Sequence, residues 1–294
     1  MASSDLRGAV ADLAGALLPL SSLDAARDYQ RRIARVSHAV NEYGFDSSGL
    51  EPEFVARWAL PAVLLYRHYF RVEVHGIEHL PRGRALIAAN HAGQLPFDGL
   101  MLWASLILAA EPPRIARSMG EYWIPRLPFV SVLASRMGAL LGTPENCVRM
   151  LADEETVVVF PEGVRGMNKP FRERYRLQPF GTGFMRIALD AEAPVVPVAI
   201  VGSEEQQVGL ANLERLAHAV GMPALPITAT FPWLGPLGLM PLPVKYHIHF
   251  GEPLCFDGVG NEEDPAIDEK VERVRSRIAA LLEEGRAQRD GVFR

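Results

Sequence analysis

Three short apolar runs constrain this chain more than anything else in it: Ala85-Leu86-Ile87-Ala88-Ala89, Thr156-Val157-Val158-Val159-Phe160 and Val195-Val196-Pro197-Val198-Ala199-Ile200-Val201. Their length suits strands, and their continuous apolarity marks strands covered on both faces. Helical patterns separate them over residues 97–110, 129–136, 144–153, 182–191 and 204–220, further strands are expected at 72–74 and 245–250, and a weaker one at 114–117. Strands alternating with helices predict an α/β fold, a mainly parallel or mixed sheet flanked by helices. Pro197 lacks an amide hydrogen, which places its strand at an edge or a bulge.

The two ends have a different pattern. Residues 1–70 read as a helical extension: Leu6, Val10, Leu13, Leu17 and Leu18 recur at helical spacing, a charged helix is expected over 24–41, and another over 54–70, bent or restarted at Pro61. In that last helix Trp58, Tyr66 and Tyr69 are residue types that favour a lipid interface, and they serve equally well in a helix packed on the next domain. Residues 265–290 form an amphipathic helix with the stripe Ile267, Val271, Val274, Ile278 and Leu281 or Leu282. The expected division is a helical region over 1–70, an α/β domain over 71–258 and a closing helix over 259–294.

Composition narrows the function classes. With 49% apolar and 22% charged residues the chain is globular, and a net charge of -5 leaves no bulk basic footprint for nucleic acid. Cys147 and Cys255 stand alone, which excludes a disulfide framework and suits a reducing compartment. Asp5 and Asp12 argue against a cleavable secretory leader. The uncharged run over 219–244 is interrupted by Pro223, Pro226, Pro232, Pro236, Pro241 and Pro243, so it cannot span a bilayer as a helix. Membrane contact, if made, is superficial and peripheral, on the cytoplasmic side.

Two loops carry chemistry. The first strand runs into Asn90-His91-Ala92-Gly93-Gln94-Leu95-Pro96-Phe97-Asp98. Carboxyl edges of α/β sheets gather ligands, and a carboxylate against one histidine nitrogen sets the tautomer and stabilises the imidazolium. Read singly, His91 braces a loop and Asp98 caps a helix just as well. The second strand runs into Pro161-Glu162-Gly163-Val164-Arg165-Gly166, in which the glycines allow close backbone approach and Arg165 offers a fork for phosphate or carboxylate. Lys169, Arg172, Arg174 and Arg176 follow, a local positive patch in an acidic protein. There is no Gly-x-Ser-x-Gly elbow for a serine hydrolase. His247 and His249 alternate on one strand with no third ligand nearby in sequence, so no metal is expected.

Asn90-His91 with Asp98, followed by Phe160-Pro161-Glu162-Gly163-Val164-Arg165, resembles the first and third signature blocks of the glycerolipid (lysophospholipid) acyltransferase superfamily, whose members include 1-acylglycerol-3-phosphate acyltransferases. Ala193-Pro194-Val195-Val196-Pro197-Val198 is similar to the fourth block, and residues 138–142 correspond loosely to the second, with Arg136 the nearest arginine. Six residues separate His91 from Asp98. The superfamily's commonest form keeps the pair closer, at the distance where Pro96 stands, and the wider spacing is nearer the monoacylglycerol and diacylglycerol acyltransferase-like branch. Val164-Arg165-Gly166 replaces the more usual Thr-Arg-Ser.

The resemblance implies transfer of a fatty acyl group from acyl-CoA or acyl carrier protein to a hydroxyl of a glycerolipid or lysophospholipid. His91 would be the general base and Asp98 its orienting partner. Glu162, Gly163 and Arg165 would be acceptor- or phosphate-binding positions, Asn90 would join them or brace the loop, and no cofactor beyond the acyl thioester is implied. Tyr122 to Phe129 and Leu95 to Phe97 are candidates for an acyl-chain lining. The segment 231–237, with Phe231, Trp233, Leu234 and Leu237, reads either as a surface lip or as a buried connection. A thioesterase using the same pair, or a non-catalytic lipid-binding relative, is the alternative.

Overall fold

The computed structural model describes residues 20–36, 38–120, 129–213 and 226–294. Among these, seven strands form one sheet in the order β1-β9-β6-β2-β5-β3-β4. They are β1 Glu73–His75, β2 Ala85–Ala89, β3 Arg117–Gly120, β4 Leu140–Leu141, β5 Thr156–Val159, β6 Val195–Val201 and β9 His247–Phe250. Every pairing is parallel except β6 with β9. The sheet is therefore mixed and mainly parallel. A separate hairpin joins β7 Gly209–Asn212 to β8 Pro226–Thr228.

The apolar runs form central strands because both faces are covered. Ala85, Ile87 and Ala89 of β2 and Val196, Val198 and Ile200 of β6 face one core. That core also holds Tyr29 of α1 Leu20–Ile33, Val55 of α2 Pro52–Trp58, Val63 of α3 Leu60–Leu64, and Met101, Leu102 and Leu106 of α4 Phe97–Leu108. The alternate residues, Leu86, Ala88, Val195, Ala199 and Val201, face a second core. It contains Cys147 and Met150 of α6 Pro144–Ala152, Phe184 and Met185 of α8 Gly183–Asp190, and Val271, Val274 and Ile278 of α9 Asp264–Gln288. The period of two in a strand divides each sequence run between the layers. Among the described residues the other α-helices are α5 Val130–Arg136 and the single turn α7 Val164–Met167.

Several expectations change. Pro197 lies in a fully buried central strand, not at an edge. Its missing donor is accommodated by a bulge: between the Val198–Phe250 and Val195–Leu254 pairings, three steps along β6 face four along its partner, and Gly251 donates to the Pro197 carbonyl. The first charged helix stops at Ile33, short of residue 41. Asn41 accepts from the amides of Tyr43 and Phe45, and Asp46 from those of Ser48 and Leu50, so side chains bind backbone donors that a helix would need.

Residues 204–220 are not one helix. Ser203–Glu205 is a single 3-10 turn, β7 follows, and 214–225 lie outside the described residues. β3 begins at Arg117; the Arg114 amide donates to the Leu106 carbonyl outside the sheet, and its guanidinium holds the carbonyls of Pro81 and Gly83 and the Thr156 hydroxyl. The helix over 54–70 restarts at Leu60 and widens into a π-turn at Leu65–Tyr69; its Val63, Tyr66 and Phe70 are core residues, and Tyr69 donates to the Pro241 carbonyl. Of its three interfacial candidates, only Trp58 is exposed. The expected stripe over residues 6–18 and the segment 121–128 also lie outside the described residues. No helix among the described residues is long and apolar enough to cross a membrane.

Candidate active site

β2 lies between β6 and β5, and all three run parallel, so their carboxyl ends open on one edge of the sheet. That topology brings three loops together: Asn90 to Asp98 after β2, Phe160 to Gly166 after β5, and Gly202 to Gln206 after β6.

His91 and Asp98 meet in the first loop. His91 Nδ1 is 2.7 Å from Asp98 Oδ2, the same oxygen accepts the amide of Ala92 at 2.8 Å, and Oδ1 accepts the amide of Gly99 at 2.7 Å. Asp98 is fully buried in the first turn of α4, where the positive end of the helix dipole favours its charge. His91 stacks on Phe160, ring centroids 4.2 Å apart, and is 8% exposed. An imidazole that donates Nδ1–H to a carboxylate carries its lone pair on Nε2, which has no hydrogen-bond partner among the described residues.

The six-residue spacing closes because the loop doubles back. Gly93 and Gln94 have φ of 96° and 62°, so the backbone turns through the left-handed region twice. Gln206 holds the turn, donating Nε2 to the carbonyls of Gly93 at 2.7 Å and Leu95 at 2.9 Å, while Tyr246 donates to Gln206 Oε1. Gln94 in turn donates to the Lys169 carbonyl at 3.1 Å. A non-glycine residue held left-handed by surrounding bonds is a form of strain that gathers at functional sites.

Glu162 and Asn90 do not face outward as acceptor-side groups. Glu162 is 1% exposed; Oε1 accepts the amide of His91 at 2.9 Å and Oε2 the amide of Gln178 at 2.7 Å. Asn90 is wholly buried and pairs both side-chain polar atoms with the backbone of Ile200, at 3.1 and 2.7 Å, fastening the end of β2 to β6. Gly163 adopts φ 56° and ψ -151°, a glycine conformation, at the entrance to α7. A Cβ on Gly166 would lie 2.6 Å from the His91 carbonyl oxygen, so this glycine allows close approach within the protein. Arg165 is exposed and donates to the Pro179 carbonyl at 3.1 Å. Arg136 is committed elsewhere, to Glu51 at 3.3 Å and the faces of Phe45 and Phe54.

Behind the histidine loop lies a buried charge cluster that the motifs do not announce. Lys169 Nζ is 3.0 Å from Glu204 Oε1, 3.6 Å from Glu162 Oε2 and 3.0 Å from the Arg176 carbonyl. Burial raises the Glu204 carboxyl above its ordinary range, opposed by Lys169 and by the Tyr175 amide. Lys169 was legible only as one charge of a positive patch. Glu204 and Gln206 were hidden inside an expected helix.

The family model for Acyltransferase matches residues 71–201. An uncharacterized protein from Mycobacterium tuberculosis is 41% identical over 260 residues, covering 86% of this chain and 72% of its own length. The DGAT1/2-independent enzyme synthesizing storage lipids from Mus musculus is 26% identical over 218 residues, covering 72% of this chain and 59% of that protein. Among solved structures, the 1-acyl-sn-glycerophosphate (LPA) acyltransferase PlsC from Thermotoga maritima superposes with a TM-score of 0.53 at 15% identity, covering 97% of this chain and 91% of that one.

Proposed function

The chain belongs to the acyltransferase family, and from that premise we propose that it transfers a fatty acyl group from a thioester, acyl-CoA or acyl carrier protein, to a hydroxyl of a glycerolipid or lysophospholipid. The observation that carries this reading is the 2.7 Å contact of His91 with the fully buried Asp98, set beside the Glu162-Gly163-Val164-Arg165 loop. His91 Nε2 removes the acceptor's hydroxyl proton as its oxygen attacks the thioester carbonyl. The tetrahedral intermediate then expels the thiolate, which takes the proton from the imidazolium, leaving an ester and a free thiol. Asp98 orients the ring and stabilises its charged form, and Phe160 limits its rotation.

Glu162, Asn90 and Gln206 are positioning residues, acting through the loop that holds His91. Arg165, on the exposed face of α7, receives a phosphorylated acceptor. The acceptor comes from a membrane surface met by the exposed Trp233, Leu234, Leu237 and Met240. This lip is tied to the site's support: Leu242 donates to the Gln206 carbonyl, and Gln207 to that of Leu239.

The test offers the purified chain acyl-CoA and acyl carrier protein donors against glycerol 3-phosphate, lysophosphatidate, other lysophospholipids and diacylglycerol, with products read by mass. An acylated acceptor and stoichiometric free thiol are expected, and Arg165→Glu should depress transfer to phosphorylated acceptors more than to diacylglycerol. Free fatty acid as sole product would reassign the pair to a hydrolase.

A further inference from the structure

β1 and β9 lie side by side at the sheet edge, in parallel register, with Glu73 opposite His247 and His75 opposite His249. Residues two apart share a face of a strand, so His247 and His249 project together on the face covered by α9, and His75 joins them from β1. The rings of His75 and His249 stack with centroids 4.5 Å apart, and one donor nitrogen from each of the three histidines lies within 4.8 Å of the other two. The third ligand that sequence spacing could not supply comes from a strand far away in the chain.

Two features distinguish this cluster from ordinary packing. His247 and His249 are buried, and the Nε2 atom of each has no hydrogen-bond partner among the described residues, an arrangement that ordinary packing disfavours. His247 Nδ1 faces Glu73 Oε2 at 3.4 Å, and Glu73 is itself held by Lys245 at 2.6 Å. A carboxylate on one imidazole nitrogen leaves the lone pair on the other, the usual support of a metal-binding histidine.

We propose that His75, His247 and His249 form a binding site for a divalent transition ion of the zinc class, with Glu73 orienting His247. Three imidazoles without thiolates suit zinc, cobalt, nickel or copper. Tetrahedral coordination at Zn–N distances of about 2.0–2.1 Å requires nitrogens about 3.3 Å apart, so side-chain rotations draw the three donors inward. His75 is exposed and gives the ion its entry. The ion serves as a clasp: it binds the three-residue edge strand β1 to β9 beneath α9, where Gly285 comes so close to His249 that a Cβ would lie 2.6 Å from Nε2. The reaction at His91 does not require it.

The test uses tag-free full chain, stripped with EDTA and titrated with zinc chloride by calorimetry and with cobalt chloride by visible absorption. One equivalent should bind with sub-micromolar affinity, give the intense d–d bands of low-coordinate cobalt, and raise Tm reversibly. His75→Asn, at an exposed position, should weaken binding at least tenfold, as should His249→Gln. His38→Gln, in the separate His38, Asp46 and Glu155 cluster, should leave affinity unchanged. Equal affinities for the wild type and His75→Asn, or loss only in His38→Gln, would overturn the assignment.

Discussion

Glu162 separates two ways of building the site. If it met the acceptor, its loss would raise KM; buried, it instead accepts the amides of His91 and Gln178 and holds the backbone of the histidine loop. Glu162→Gln replaces one accepting oxygen by a donor and leaves a buried N–H unpaired, at about 1–3 kcal/mol. Lower thermal stability and a fall in kcat at nearly constant acceptor KM are expected from melting curves and steady-state kinetics. A raised KM with unchanged melting would return Glu162 to direct acceptor binding. His91, Asp98, Glu162 and Arg165 were all legible in the sequence because each pair falls within one strand-to-loop segment. The placement of the Glu162 carboxylate was not, since nothing in Pro-Glu-Gly says that it turns inward to another loop's backbone.

Among the elements, α7 and the histidine loop depend on contact without a side chain between them. Gly166→Ala would set a Cβ 2.6 Å from the His91 carbonyl and 2.8 Å from the Glu162 Cβ, and backbone on one side cannot yield as a flexible side chain would. The variant should lose about 1–3 kcal/mol, the usual cost of overpacking, and turn over more slowly because His91 shifts from Asp98. Wild-type stability and rate would show that α7 is free to withdraw. Strands β2, β5 and β6 were legible from their apolar runs, since parallel central strands need no polar face. β4, with two residues, is too short for any period to show, and Gly202, at φ 105°, turns the chain out of β6 before the expected helix can begin. The match of Gln206 to the carbonyls of Gly93 and Leu95 depends on tertiary contact between β6 and β2, which local pattern cannot express.

On the scale of the whole molecule, the amino-terminal helices are part of the sheet's packing. Tyr29 donates to the Val55 carbonyl at 2.5 Å, and Arg117, buried at the start of β3, pairs with Asp46 before α2 and with Glu155 before β5. They share one core with α4, which carries Asp98 and covers the same face of the sheet. The molecule thus holds a buried His91–Asp98 pair at the carboxyl edge, an arginine-bearing turn beside it and an apolar lip tied to the histidine loop through Gln206. All of these serve one claim, that His91 moves the proton when an acyl group passes to an alcohol. The most direct measurement is the steady-state rate of ester formation by His91→Ala against the wild type, with melting curves recorded on both. A loss of at least ~10²-fold, the usual scale for a general base, is expected in a protein that still folds; transfer at the wild-type rate by the folded variant would show that another group moves the proton.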